Sequence, residues 1–144
     1  MATNKSDQYT DEVASPPVMH GHNEVGAPVR KYFKYTVPVG DEAANNLIQL
    51  VSIPDGSRIL GGLLVNEAMS TGGGDASVQV GDGTTVDKYL GTTSVDAAGS
   101  RAFANTAALF FGQELSAAIV LTAKVLTEDW LAGAVLSGYV DYLP

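Results

Sequence analysis

The chain has 144 residues, of which 45% are hydrophobic and only 17% charged, enough for one domain with a substantial core and short for two. Eight bases against sixteen acids give a net charge of −8, so the basic footprint that nucleic-acid binding requires is missing. Cysteine is absent, which removes disulfide scaffolds, thiolate zinc sites and cysteine nucleophiles. No apolar run approaches the roughly 18 residues of a membrane helix. The segment MATNKSDQYT has no signal-peptide core, so synthesis and folding are expected in a cytoplasm. Residues 1–40 hold four bases and four acids, and the remainder four bases and twelve acids. The whole net charge therefore lies beyond residue 40.

Residues 1–29 are polar and broken by Pro16, Pro17, Gly21, Gly26 and Pro28, which interrupt helix and ladder alike. They read as an extended or flexible N-terminal arm, with residues 30–144 as the folded domain. Val13, Val18, Met19 and Val25 are scattered apolar anchors through which such an arm would order against a neighbouring subunit. His20 and His22 flank Gly21, but no cluster is spaced to complete a metal site with them.

From residue 30 the pattern is that of short strands. Over 30–39, Tyr32, Lys34, Thr36 and Pro38 alternate with Phe33, Tyr35, Val37 and Val39, a half-buried strand that Pro38 places at an edge or brings to an end. Residues 47–53 form a second strand, with Leu47, Gln49, Val51 and Ile53 on one face. The Pro54-Asp55-Gly56 turn follows. Arg58 to Met69 is a long third strand, in which Gly61-Gly62 signals a bulge or a close backbone approach. Ala76–Val80 returns after the glycine-rich tip 71–75. Arg58–Leu90 thus reads as a hairpin with a mobile Gly72–Gly74 tip and a fixed Gly81–Gly83 corner. Residues 102–111 read as extended, 116–126 as a clear strand, and about 133–143 as the terminal strand. Some eight short strands separated by Gly, Pro and Asp turns, with no convincing long helix, predict an all-β antiparallel β-sandwich of jelly-roll type.

Chemistry-bearing groups are sparse. The glycine-rich corner matches neither phosphate-binding template. Asp75, Asp82, Asp87 and Asp96 offer hard oxygen ligands but lack a calcium-loop series. Glu67, Glu114, Glu128 and Asp129 have no spacing that pairs them for acid–base work, and read as solvated charges. Both histidines fall in the arm, away from any serine–carboxylate device. No catalytic, cofactor or metal site is expected. Trp130 and Tyr32 are expected at a contact surface or, for Trp130, in the core.

The segment Gly81-Asp82-Gly83-Thr84-Thr85-Val86-Asp87-Lys88-Tyr89, preceded by Ser77-Val78-Gln79-Val80, resembles small structural proteins of tailed bacteriophages. Ile53-Pro54-Asp55-Gly56-Ser57 and the final Tyr139-Val140-Asp141-Tyr142-Leu143 are similar too, and the likeness spans residues 47–143. Within that group the resemblance favours capsid decoration, or cement, proteins. It implies a non-enzymatic, β-rich and often trimeric protein on the virion exterior, bound where subunits of the major capsid protein meet. The alternative is a head-fibre or tail-tip module that binds a host glycan or receptor through Trp130 and the 71–75 loop.

Overall fold

The computed structural model describes residues 3–6, 27–104 and 111–144. Nine strands follow one another: β1 (Thr3–Lys5), β2 (Val29–Thr36), β3 (Leu47–Ile53), β4 (Arg58–Asn66), β5 (Ser77–Gly81), β6 (Leu90–Ser94), β7 (Gly99–Ala102), β8 (Ile119–Leu126) and β9 (Val135–Leu143). They form two sheets, in the orders β1-β3-β8-β5-β6 and β2-β9-β4-β7. Apart from β1, which runs parallel to β3, every pairing is antiparallel. The eight antiparallel strands have the jelly-roll arrangement, in which nearly every connection crosses from one sheet to the other. Only β5 and β6 are joined in sequence and also paired.

Period-two alternation drives this packing. Phe33 and Tyr35 of β2, Ile59 and Leu64 of β4, and Leu136, Val140 and Tyr142 of β9 face inward from one sheet. Ile48, Leu50, Val78, Val80, Leu121, Ala123 and Val125 meet them from the other. Val37 continues the inward face of β2, whereas Val39 is fully exposed. Met69 and Trp130 close one end of the core, and Tyr89 lies buried beside Phe111.

Two expectations need correcting. The 58–90 stretch is no hairpin: β4 and β5 belong to opposite sheets, so the glycine-rich segment between them is an arch over the end of the sandwich. In β3 a register shift between Gln49 and Val51 interrupts the alternation, so Leu50, Val51 and Ile53 are all buried while Gln49 stays half-exposed. Of residues 102–111, read as extended, Ala102 ends β7 and 105–110 lie outside the described ones. Within the N-terminal arm, Thr3–Lys5 form β1 at the edge of the five-stranded sheet.

Gly61-Gly62 serves both purposes foreseen for it. The register of β4 on β9 shifts between Ile59 and Gly61, and Gly62 leaves room for the Phe103 ring. A Cβ on Gly62 would sit 2.6 Å from the Tyr139 carbonyl oxygen and 2.5 Å from the ring. Gly62→Ala is therefore expected to destabilise the fold by about 1–3 kcal/mol through overpacking. Gly91→Ala in β6, where an added Cβ meets nothing within 4 Å, serves as the near-neutral control. Urea unfolding midpoints of the two variants check the difference.

Candidate interaction surface

The two ends of the sandwich differ in charge. One end carries the β2–β3, β4–β5, β6–β7 and β8–β9 connections, residues 37–46, 67–76, 95–98 and 127–134. These hold seven acids (Asp41, Glu42, Glu67, Asp75, Asp96, Glu128 and Asp129) and no base. Strands show the reverse preference. Seven of the eight bases lie in strands, all but Lys88, whereas among the described residues Asp141 is the one acid there.

Most of the acidic side chains at this end do structural work that their exposure in sequence did not reveal. Chain crossing between sheets leaves loop amides without ladder partners, and such groups must find acceptors. Carboxylates from neighbouring loops supply them. Asp129 Oδ1 accepts from the Ala44 amide at 2.9 Å, and Asp41 Oδ1 from Ala132 at 2.7 Å. Glu67 Oε2 accepts from Val135 at 3.0 Å, and Asp96 Oδ1 from Ala76 at 2.7 Å. The glycine-rich arch expected to be a mobile tip is drawn onto Glu128, whose oxygens accept from Thr71 at 2.8 Å and Asp75 at 3.3 Å. A hydrogen bond from Ser70, opposed by burial and reinforced by the arch amides, lowers the Glu128 pKa below its ordinary value. Glu67, Glu128 and Asp129 are thus loop ties, while Glu114 forms an exposed ion pair with Arg58 at 3.0 Å.

Glu42 is a separate case. It is 2% exposed, and its backbone is pinned by reciprocal hydrogen bonds with Trp130 at 3.0 and 2.8 Å. Its carboxylate accepts from Asn46 Nδ2 at 2.6 Å, from the Tyr35 hydroxyl, and from Asn4 Nδ2 at 2.9 and 2.8 Å. Burial, with the bond to Glu42 next in importance, raises the Tyr35 pKa well above the usual phenol range.

The Gly81–Gly83 corner at the other end is rigidly specified. A Cβ at Gly81 would collide with the Thr85 carbonyl. Asp82 Oδ1 accepts from the amides of Thr84 and Thr85 at 3.1 and 2.8 Å, and its Oδ2 pairs with Lys88 at 3.0 Å. Burial pushes the Asp82 carboxyl upward, but the Thr85 amide and Lys88 outweigh it and hold the pKa below its ordinary value. Next to it, burial and then the Asp82 charge push the Tyr89 phenol up to about 12.

Among the described residues, no three His, Cys, Asp or Glu side chains gather at either end to hold a metal ion, and both oxygens of Asp82 are engaged. Two open concavities, about 280 Å3 beside Lys88 and Gln113 and about 470 Å3 between Thr3 and Thr122, have mixed polar and apolar linings. No described helix is long and apolar enough to cross a membrane.

The outer face of the four-stranded sheet is the surface with recognition chemistry. Register puts Tyr32 of β2 opposite Tyr139 of β9, and Tyr139 opposite Leu63 of β4. The two tyrosine rings meet edge to face at 6.0 Å. Arg30 lies 3.7 Å over the Tyr139 ring while holding Asp141 with two bonds of 2.7 and 2.9 Å. Tyr32 is 60% exposed, and Val65 and Leu60 are also open to solvent. Arg30, Lys34 and Arg58 against Asp141 and the Glu114 that pairs with Arg58 leave this face with a small positive excess. Exposed aromatic and arginine side chains of this kind are enriched at protein interfaces.

Of the expected contact residues, only Tyr32 is found on this face. Trp130 is 0% exposed; its backbone bridges Glu42 and Ser70 and its indole fills the end of the core, so the ring offers a partner nothing. Val13, Val18, Met19 and Val25, like His20 and His22, lie outside the described residues. Tyr139 and Arg30 were missed because only strand register brings them beside Tyr32.

Comparison with known proteins places the fold. No protein-family model matches the sequence, and no curated protein does. Solved structures do match. A chain from the capsid of Ralstonia phage GP4 superposes with a TM-score of 0.75 at 19% identity, over 99% of this chain and 97% of that one. A chain from the capsid asymmetric unit of cyanophage Pam1 gives 0.69 at 19%, over 88% and 92%. A chain from the acid-stable capsid of Helicobacter pylori bacteriophage KHP30 gives 0.60 at 18%, over 84% and 89%. At this identity the likeness is one of fold, and it extends over nearly the whole of each chain.

Asp82→Ala, which removes the acceptor shared by two amides and a partly buried ion pair, is expected to lower stability by about 1–2 kcal/mol at neutral pH. Because the folded pKa of Asp82 is depressed, its contribution is complete above the unfolded pKa and is lost as pH falls through the lower folded value. Asp82→Asn should therefore flatten part of the acid dependence of stability, as read by denaturant midpoints from neutral to strongly acidic pH.

Proposed function

We propose that this chain is a non-enzymatic virion structural protein that decorates and stabilises a bacteriophage capsid from outside, binding as a homotrimer between subunits of the major capsid protein. One observation carries the reading: the jelly roll matches, almost end to end, chains found in the capsids of three different phages. A fold alone does not fix a function, but the surface chemistry agrees with this one. The described residues present an exposed aromatic–arginine face. The end rich in carboxylates would repel packaged DNA, which suits a position on the shell exterior.

In this reading the outer face of the four-stranded sheet, centred on Tyr32 and Tyr139, is the contact with the capsid. The acidic end points away. A trimer presents three such faces at once to symmetric sites, so modest single contacts give firm attachment. The N-terminal arm, including Val13, Val18, Met19 and Val25, adds contacts along neighbouring subunits. Burial of Trp130 removes the aromatic platform on which a glycan-binding role would rest, so decoration is preferred.

The test is reconstitution. Purified protein added to capsids lacking it should bind to the exterior and raise the temperature at which the particles release DNA. Tyr32→Ala should reduce occupancy at limiting protein roughly tenfold, the equivalent of about 1.4 kcal/mol, while leaving the fold intact by circular dichroism. Removal of residues 1–29 should also reduce occupancy. Binding confined to tails, or unaltered heat resistance of saturated particles, would sink the proposal.

A further inference from the structure

We infer that the edge of β3 and the buried Glu42 carboxylate form a socket for the N-terminal strand of a second copy of this chain, so that neighbouring copies exchange β1. Two independent features point there.

First, the socket is built without β1. Glu42 is held by its backbone bonds to Trp130, and its carboxylate is already met by Tyr35 and Asn46. What β1 adds comes from Thr3–Ser6 and includes three residue pairs along Leu47–Gln49, the Ser6 amide on the Gln49 carbonyl, and the Asn4 amide on both Glu42 oxygens. Such a short plug, recognised by a buried carboxylate and an open sheet edge, fits any copy of the same segment equally well. This is strand addition with a side-chain key.

Second, the connection behind β1 is far longer than its own socket requires. β1 runs parallel to β3 and ends beside Gln49. The chain resumes as β2, whose Lys31 Nζ donates to the Ser52 carbonyl at 3.0 Å, only three residues further along β3. Three residues of strand span about 10 Å. Twenty-two residues, 7–28, separate Ser6 from Val29, and extended they would reach roughly 70–80 Å. Connections within a compact domain are usually about 4–6 residues long. The entropy of closure grows only slowly with length, so a chain this long closes onto an adjacent copy almost as easily as onto itself. In a symmetric oligomer the exchange keeps every β1 contact and adds continuity between subunits.

The absence of cysteine makes the test direct. Lys5 and Gln49 are register partners across β1 and β3. A tagged full-length chain carrying Lys5→Cys is co-expressed with an untagged chain carrying Gln49→Cys, and the purified protein is treated in solution with a short bismaleimide. Exchange predicts a covalent band joining tagged and untagged chains. That band should be missing when either variant is expressed alone, and should weaken on adding Asn4→Ala. A Lys5→Cys, Gln49→Cys double variant that links only within single chains, with no link between chains in the mixed sample, would overturn the inference. So would the loss of both links. The measurement uses the isolated protein, so its outcome is separate from that of capsid binding.

Discussion

The structure depends on burying two inner sheet faces against each other with strands that arrive from opposite sheets. Apolar alternation on β2, β4, β9, β3, β5 and β8 supplies the driving force. The jelly-roll order that satisfies it makes nearly every connection an arch over one end. Arches break the ladder and strand backbone amides. At one end the carboxylates of Asp41, Glu67, Asp96, Glu128 and Asp129 accept those amides from neighbouring loops. The acidity of the chain is thus largely a consequence of how its loops are satisfied, and the cross-ties couple each arch to the next.

That arrangement explains the segregation of charge. Acids gather where turns need acceptors. Bases sit on strands, where long aliphatic stems can lie over sheet surface with the charge in water. Arg30 shows the result: it stacks on Tyr139, pairs with Asp141, and stands beside the exposed Tyr32 ring. An aromatic, net positive sheet face on a protein of net charge −8 is polarised, and polarity of this kind orients a subunit toward a partner before contact is made.

In the strand exchange we infer, Glu42 would join this scaffold to assembly. A buried carboxylate among neutral donors is costly unless every oxygen is engaged, and here Asn4 completes the set from the far N-terminus. The same contact that finishes the fold of one chain is short, local and separable from it by a long connection. Cohesion within a subunit and cohesion between subunits can therefore draw on one set of interactions.

The sequence by itself determined the class of fold, because alternation and turn residues act locally: the bounds of β3 were legible to the residue, and those of β2, β4, β5, β8 and β9 to within a few residues at most ends. Pro38 ended an edge strand, Gly61-Gly62 marked its bulge, and Gly81–Gly83 its corner, all from local sterics. Only the tertiary structure decided which strands pair. No local signal says that β4 and β5 lie in different sheets, that a bulge turns Val51 inward, or that Trp130 plugs the core while Tyr32 remains outside. Nor does spacing reveal that Glu128 gathers the glycine arch or that Asn4 reaches Glu42, thirty-eight residues away. Those facts rest on register and long-range contact, which one-dimensional periodicity does not encode.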